Sequence, residues 1–314
     1  MIQQSTLSNI IYITEDDFNI QDLLEIKSCE ELATYISPMN YDFIFFWGKN
    51  EDYLFNTLPP KQRKRVLIWC GEESSIFPSS KLFEEFSIIF KEYLNDNYPK
   101  NNKLFPLPLL TPDKTSHSCS AIKPIKQRKF NLFFSGNLNY NRFELFYILT
   151  PQKTLIDKFC NFLIKKKIKG SNYLFKKIYL QNKTINLSNL NKKQIINFTN
   201  KFNSGFSPEK YINYLSDSQI VLSPRGFHSA ECFRLYEAIQ RGCIVITEKL
   251  PNHSFYQNIP AIQVNTWSDL LNIDINNLIN NFEAENIHKF YQDNLSVQAI
   301  ANYIKLIIQH ANIQ

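Results

Sequence analysis

The turn at residues 223–226 combines residue types that suit a phosphate-binding loop. A helix is predicted to begin near Ser229, and the apolar segment Gln219–Ser223 before the turn is predicted to be a strand. Glycine allows close approach of the backbone, and the unpaired N–H groups at a helix N-terminus attract anions. The pattern therefore predicts an anion site at the carboxyl end of a strand. The turn consists of Ser223, Pro224, Arg225 and Gly226.

Three charged side chains near this turn extend the prediction from an anion to a nucleotide. Arg225 and Arg234 could both reach a diphosphate, because the paired N–H donors of a guanidinium match phosphate oxygens. Glu237 lies three residues after Arg234 and therefore on the same helix face. There it could accept hydrogen bonds from both hydroxyls of a ribose. The alternative is a surface salt bridge between Arg234 and Glu237 without any ligand.

Histidine and metal chemistry are weaker features of the same region. His228 could donate to a phosphate or to charge developing on a leaving group, or it could be a solvent-exposed loop residue. The sequence contains no D-x-D motif, and Glu15, Asp16 and Asp17 match that metal-binding pattern only loosely. Cysteines and histidines do not occur at metal-ligand spacing. We therefore predict a site without a metal.

A second glycine turn follows another predicted strand, in the segment FFSGNLNYNRFEL. Gly136 and Asn137 stand at the end of that strand, and Arg142 opens the next predicted helix, where a phosphate would be favoured. The alternative is an ordinary β-turn in which Gly136 and Asn139 supply the required backbone angles. We predict that Gly136, Asn137 and Arg142 contact the same ligand as the first turn.

These residues need a sheet whose strand ends meet at one edge. In the first third of the chain, short continuous apolar runs alternate with polar, helix-like stretches. Runs of this kind are typical of parallel strands covered by helices on both faces, so they predict a doubly wound α/β unit. The runs are Ile10–Thr14, Phe43–Trp47, Arg65–Cys70 and Ser87–Phe90.

A second series of β/α elements begins near Asn131, after a stretch rich in proline, serine and threonine. We predict an N-terminal domain at 1–115, a linker at 116–129, a second domain at 130–285, and a C-terminal helix at 286–314 that packs on the body. Within the second domain, the Asn- and Lys-rich residues 180–205 are predicted to be a polar insertion.

Composition narrows the function classes. Hydrophobic residues make up 44% of the 314 residues and charged residues 20%, which excludes a disordered polymer. The net charge of +6 suits an anionic ligand or an anionic membrane surface, although the lysine run at 165–169 reads first as a solvated helix face. Neither a nucleic-acid-binding motif nor a secretory signal nor a membrane-spanning segment is visible. We expect a cytoplasmic protein with peripheral contact to the inner membrane.

Three motifs together resemble a known family. SPRG, then FRLYEA, then GCIVIT is similar to the signature of the exostosin-like glycosyltransferases, over about 40 residues from Pro208 to Thr247. The resemblance departs at Val245 and Ile246, where the family commonly has proline and valine. It implies an α/β fold of the GT-B type, with two Rossmann-like doubly wound domains facing a cleft. It also implies a nucleotide-sugar donor in the C-terminal half, with Glu237 on the ribose and the arginines near the phosphates.

The resemblance further implies an inverting transfer to a carbohydrate or glycolipid acceptor held by the N-terminal domain. Such a reaction needs a general base, and Glu72, just after the strand Arg65–Cys70, is the predicted base. Glu15, Asp16 and Asp17 are competitors that could instead cap a helix. We expect no cofactor beyond the donor, a UDP-sugar, for synthesis of a bacterial surface polysaccharide or lipopolysaccharide. A CMP-linked or GDP-sugar donor, or an idle nucleotide-sugar-binding subunit, are the alternatives.

Overall fold

The chain forms two compact α/β units. The computed structural model describes residues 2–4, 7–15, 26–74, 76–111, 122–151, 153–168, 170–179, 185–186, 193–200 and 204–311. The first unit comprises Met1–Cys119, Pro251–Asn258 and Tyr291–Gln314, and the second comprises Ser120–Leu250 and Ile259–Phe290. Each unit has its own sheet.

The first sheet has six strands within the described residues: β1 (Ile2–Gln4), β2 (Ile10–Thr14), β3 (Asp42–Trp47), β4 (Arg65–Cys70), β5 (Ile88–Lys91) and β6 (Leu104–Pro106). They lie in chain order, β1 pairs antiparallel with β2, and the others are parallel. The helices here are α1 (Ile26–Ile36), α2 (Glu51–Thr57) and α3 (Ser80–Glu85).

The second sheet also has six described strands: β7 (Phe130–Asn137), β8 (Ile185–Asn186), β9 (Gln194–Thr199), β10 (Ser218–Ser223), β11 (Ile244–Glu248) and β12 (Ala261–Val264). Its helices are α4 (Phe143–Leu149), α5 (Leu155–Lys165), α6 (Ser171–Tyr179), α7 (Pro208–Ser216), α8 (Phe233–Gln240) and α9 (Ile275–Asn281). The chain ends in α10 (Ala284–Asn294) and α11 (Val297–Ala311).

Side chains of one strand fill cores on both faces of the first sheet. Phe43, Phe45 and Trp47 of β3 join the core formed with α1 and α11, whereas Ile44 and Phe46 join the core formed with α2 and α3. A strand buried on both faces is apolar along most of its length, which is why residues 43–47 form a continuous apolar run. The predicted α/β class with helix-covered parallel strands is confirmed.

The second sheet contains a reversal of strand order at β7. Its order is β12-β11-β10-β7-β9-β8, and all strands except β8 are parallel. From β7 the chain moves to β9 on one side and then returns to β10 on the other. Ligands of open α/β sheets bind outside the carboxyl ends of the strands at such a switch point. The ends of β7 and β10 are the two turns singled out in the sequence.

The predicted polar insertion at 180–205 is wrong for its central part. Residues 194–199 form β9, which pairs with β7 along its length and buries Ile195, Ile196 and Phe198. Arg128, at the end of the predicted linker, is also buried, and it donates hydrogen bonds to the carbonyls of Ser218 and Arg241. The linker residues 116–121 lie outside the described residues.

Gly242, between α8 and β11, provides a test of the second unit's packing. Its φ is +66°, and a Cβ there would lie 2.3 Å from the carbonyl oxygen of Ala284. We expect Gly242→Ala to lower the free energy of unfolding by roughly 2 to 3 kcal/mol, from backbone strain and a clash with backbone that cannot move aside. Gly170→Ala is the matched control, because its φ is +89° but its Cβ would meet open space. Equal losses in urea denaturation of both variants would contradict the clash.

Candidate functional site

The two predicted turns meet at the carboxyl edge of the second sheet. Arg142 joins them, because its Nε donates to the carbonyl of Arg225 at 2.8 Å and one Nη donates to the carbonyl of Asn137 at 2.9 Å. The same Nη also bonds the Asn137 side chain. Arg142 is 6% exposed. The structure therefore shows Arg142 bridging the turns through their backbone, and its predicted phosphate contact stays a prediction.

Two asparagines of the β7 turn complete this frame. Asn139 and Asn141 both donate to the carbonyl of Gly226, at 3.4 and 3.2 Å, and Asn141 also donates to the carbonyl of Phe227 at 2.6 Å. Sequence reasoning considered Asn139 only as a β-turn residue and passed over Asn141. The turn after β10 thus has its carbonyls held by side chains of the turn after β7, which fixes the position of Arg225.

Arg225 forms an ion pair at the same edge. Its Nε pairs with the carboxylate of Glu248, which also accepts from the Arg225 backbone N–H at 3.2 Å and from the indole N–H of Trp267 at 3.0 Å. Glu248 ends β11 and was not predicted as a site residue. The sequence signal for Glu248 was its position directly after the apolar run at 243–247. Arg225 remains partly exposed, with 39% of its side chain accessible.

Arg234 extends from the first turn of α8 to the end of β7. One Nη donates to the carbonyl of Ser135 at 2.6 Å, and Cζ lies 4.8 Å from the centre of the Phe134 ring. Gly136 makes room for this guanidinium, because a Cβ there would lie 2.6 Å from it. Among the described residues, the buried Nε of Arg234 has no hydrogen-bond partner. Because this Nε is fully buried, only the partly exposed remainder of the Arg234 side chain could contact an anion.

Glu237 lies one turn further along α8 and is held by a second helix. Tyr211 of α7 donates its hydroxyl to Glu237 at 2.7 Å. Burial, together with the neighbouring Glu237 carboxylate, raises the pKa of Tyr211 well above its ordinary value. The tyrosine therefore stays a proton donor, which orients the carboxylate. The predicted surface pair with Arg234 is not among the salt bridges of the described residues.

The helix start and the remaining turn residues differ in part from the prediction. α8 begins at Phe233 and not near Ser229, because Cys232 is extended. The N-terminus of α8 therefore does not follow the glycine turn directly. Ser223 and Pro224 are buried, and the Ser223 hydroxyl lies 3.0 Å from the Cys232 sulfur. His228 is exposed beside the turn, and its predicted role stays a prediction.

The predicted general base, Glu72, requires a correction. Its side chain and that of Lys91 are both 0% exposed and form an ion pair of 3.0 Å in the first unit. Burial would raise the pKa of Glu72, but the Lys91 ammonium and the Ile76 N–H lower it below its usual value. A carboxylate that is buried, paired and reluctant to take a proton cannot deprotonate an acceptor. Glu72 is therefore half of a buried ion pair, and not the base.

The competing carboxylates are only partly described. Glu15 follows β2 and accepts the backbone N–H groups of Lys49 and Asn50, at 2.7 and 3.3 Å, ahead of α2. Asp16 and Asp17 lie outside the described residues. No cluster of three or more metal-ligating side chains occurs in the described part of the chain. Likewise, none of the described helices is long and apolar enough to cross a bilayer.

Residues 140–289, just under half of the chain, match the family model described as the RXYLT1 C-terminal domain. This segment contains Arg142, Arg225 and the whole of α8. Gly136, Asn137 and Glu72 lie before it. A search of curated proteins finds no match.

Several solved glycosyltransferases resemble the fold at low sequence identity. AviGT4, a glycosyltransferase involved in avilamycin A biosynthesis, has a TM-score of 0.46 and 10% identity, covering 91% of this chain and 90% of that one. TarM has a TM-score of 0.47 and 10% identity, covering 89% and 57%, so the chain spans a little over half of TarM. A Rickettsia africae glycosyltransferase has a TM-score of 0.39 and 13% identity, covering 95% and 84%. By the family match, residues 140–289 are similar to a glycosyltransferase domain of the exostosin-like type.

Proposed function

We propose that this protein is a glycosyltransferase that moves a sugar from a nucleotide-diphosphate donor, a UDP-sugar, to a carbohydrate or glycolipid acceptor. We place this reaction, without a metal and with inversion, in bacterial surface polysaccharide or lipopolysaccharide synthesis. The enzyme class rests on the family match, and the donor rests on the sequence resemblance together with the site at the second sheet.

The observation that carries the donor site is the Arg234 guanidinium, fixed beside the end of β7 at the switch point between β7 and β10. The guanidinium is oriented by the Ser135 carbonyl and the Phe134 ring, so it need not reorganise to meet a ligand. Diphosphate oxygens would pair with the positive charge of this partly exposed side chain. Because the site is preorganised, it can also stabilise the charge that develops on the departing nucleoside diphosphate.

The other residues take roles around that phosphate. Arg225 is partly exposed and would share its guanidinium between Glu248 and a phosphate oxygen. Glu237, oriented by Tyr211, would accept the ribose hydroxyls. His228 would donate to the leaving phosphate from the exposed side of the turn. Arg142 would act indirectly, by holding both turns in place.

The general base for the acceptor hydroxyl stays a prediction. Glu15 is the described member of the competing carboxylates, and it accepts two backbone N–H groups after β2.

Breakdown of the donor tests the activity directly. The protein is incubated with UDP-, GDP- and CMP-sugars, with and without EDTA, and phosphorus NMR follows free nucleotide. We expect UDP to be released in the presence of EDTA, slowly to water and faster when an acceptor sugar is added. Release of GDP or CMP instead would replace the proposed donor. If no sugar nucleotide is consumed under any condition, the chain is an idle binding subunit and the proposal is wrong.

Gly136→Ala tests the placement of Arg234 without removing a charge. The new Cβ would push the guanidinium away from the Ser135 carbonyl, since it would lie 2.6 Å from the Nη of Arg234. We expect roughly tenfold weaker UDP binding, with little change in stability because a flexible side-chain end can move. Gly205→Ala is the control, since its Cβ would lie 3.8 Å from the Ser135 hydroxyl, an ordinary contact. Similar affinities for both variants in calorimetric titration would contradict the placement.

A further inference from the structure

Helix α5 presents large apolar side chains to solvent. Leu155 is 82% exposed, and Ile156, Phe159 and Phe162 are each more than half exposed. Leu155, Phe159 and Phe162 stand at i, i+4 and i+7, so they share one face of the helix. Solvent-exposed apolar stripes of this size mark interaction sites. Tyr173 of α6 is also 72% exposed.

The opposite face of α5 is anchored in the second unit. Cys160 and Asp157 are buried, and Asp157 accepts hydrogen bonds from Tyr179 of α6 and from the Thr154 backbone. The helix begins with a capping box in which Thr154 and Asp157 bond each other reciprocally. The apolar stripe is therefore held outward by a fixed helix.

The charge around this stripe is positive. Residues 153–168 contain five lysines and a single acidic residue, Asp157, which is turned inward. Lys158, Lys166 and Lys167 are exposed, whereas Lys165 pairs with Glu144 at 3.1 Å. An amphipathic helix with phenylalanine and leucine on one face and lysines beside it binds in the headgroup region of an anionic bilayer.

We propose that α5 docks the protein onto an anionic membrane surface, with Leu155, Phe159 and Phe162 entering the bilayer interface and Lys158, Lys166 and Lys167 facing lipid phosphates. None of these six residues is among those of the proposed nucleotide site, and the docking does not depend on the proposed reaction. It would hold the enzyme where lipid-linked acceptors are found.

Vesicle sedimentation tests this docking with the full chain. Two lipid mixtures are compared, phosphatidylcholine alone and phosphatidylcholine with roughly one third phosphatidylglycerol. We expect the wild type to sediment with the anionic vesicles, and the binding to weaken strongly when salt rises from about 0.1 M to about 0.5 M. Failure of the wild type to bind anionic vesicles at the lower salt concentration would overturn the proposal.

Variants assign the binding to α5. Phe159→Ser/Phe162→Ser should lower partitioning at least roughly tenfold, and Lys158→Gln/Lys166→Gln/Lys167→Gln should lower it roughly 100-fold, at about fivefold per lysine. Leu306→Ser is the control, because Leu306 is 50% exposed on α11, and it should bind like the wild type. Unchanged binding of the phenylalanine variant would overturn the proposal. Light scattering gives a second check, the oligomeric state of both proteins. If the wild type were a dimer and the phenylalanine variant a monomer, the stripe would bind a second copy of the chain and the proposal would be overturned.

Discussion

Arg234→Gln is expected to weaken binding of UDP by roughly 100-fold or more, because two charge-assisted hydrogen bonds are lost at about 1.5 to 3 kcal/mol each. Glutamine keeps an amide donor that can reach the Ser135 carbonyl, so the edge of β7 retains a partner. The affinity is measured by calorimetric titration with purified protein. Thermal unfolding without ligand should show both proteins folded.

The control is an arginine remote from the site. Arg63 lies in the first unit, where its partly exposed guanidinium is 3.7 Å from the buried carboxylate of Asp42. Arg63→Gln removes the same charge from the protein and should leave the UDP affinity within about twofold. Equal loss of affinity in both variants would mean that net charge, and not the geometry around Ser135, attracts the nucleotide.

Breaking the buried pair between Glu72 and Lys91 is expected to have the largest effect on stability. Glu72→Gln removes the carboxylate that bonds the buried Lys91 ammonium at 3.0 Å and leaves Glu92 as its acidic neighbour. Breaking a buried pair in this way typically costs about 3 to 5 kcal/mol. The double variant Glu72→Gln/Lys91→Met should recover most of the loss, because both charges are then gone. Urea denaturation gives the free energies of unfolding for the cycle. A double variant no more stable than Glu72→Gln would contradict the pairing.

The cost of Glu72→Gln should also depend on pH. The pKa of Glu72 in the folded protein is below its ordinary value, mainly because the Lys91 ammonium and the Ile76 N–H overcome the effect of burial. The unfolded state therefore binds more protons as the pH falls from the ordinary carboxyl pKa toward the folded one, and the stability from Glu72 is lost in that window. The difference between wild type and Glu72→Gln should be full at neutral pH and shrink below about pH 4. A difference independent of pH would contradict this assignment.

The residues of the proposed binding edge could be picked out from the sequence because their signals are local. Gly226 and Arg225 follow an apolar strand, and Arg234 and Glu237 share a helix face. These spacings along the chain do not depend on how the elements pack. The structure adds what spacing cannot give, namely which strand ends are neighbours. Gly136 and Arg234 are almost a hundred positions apart, and only the order β10-β7-β9 brings them together.

The failures have physical causes of the same kind. β9 was read as a polar insertion because asparagines and lysines surround a six-residue strand, of which five residues are buried once it pairs with β7. Glu72 was read as a base because a carboxylate after a strand often faces a ligand. Its partner Lys91 ends the next strand along the sheet, and the pairing of β4 with β5 makes the two meet.

The most direct test of the central claim, a nucleotide site at the switch point of the second sheet, is thermal unfolding of the pure protein with UDP, GDP, CMP and ADP, each with and without EDTA. A ligand at about 100 times its dissociation constant adds roughly 2.7 kcal/mol of stability, which shifts the midpoint clearly. We expect UDP to stabilise the wild type in EDTA, and neither Arg234→Gln nor Glu237→Gln to respond. If no nucleotide stabilises the wild type, or if both variants respond as it does, the site is not where we have placed it.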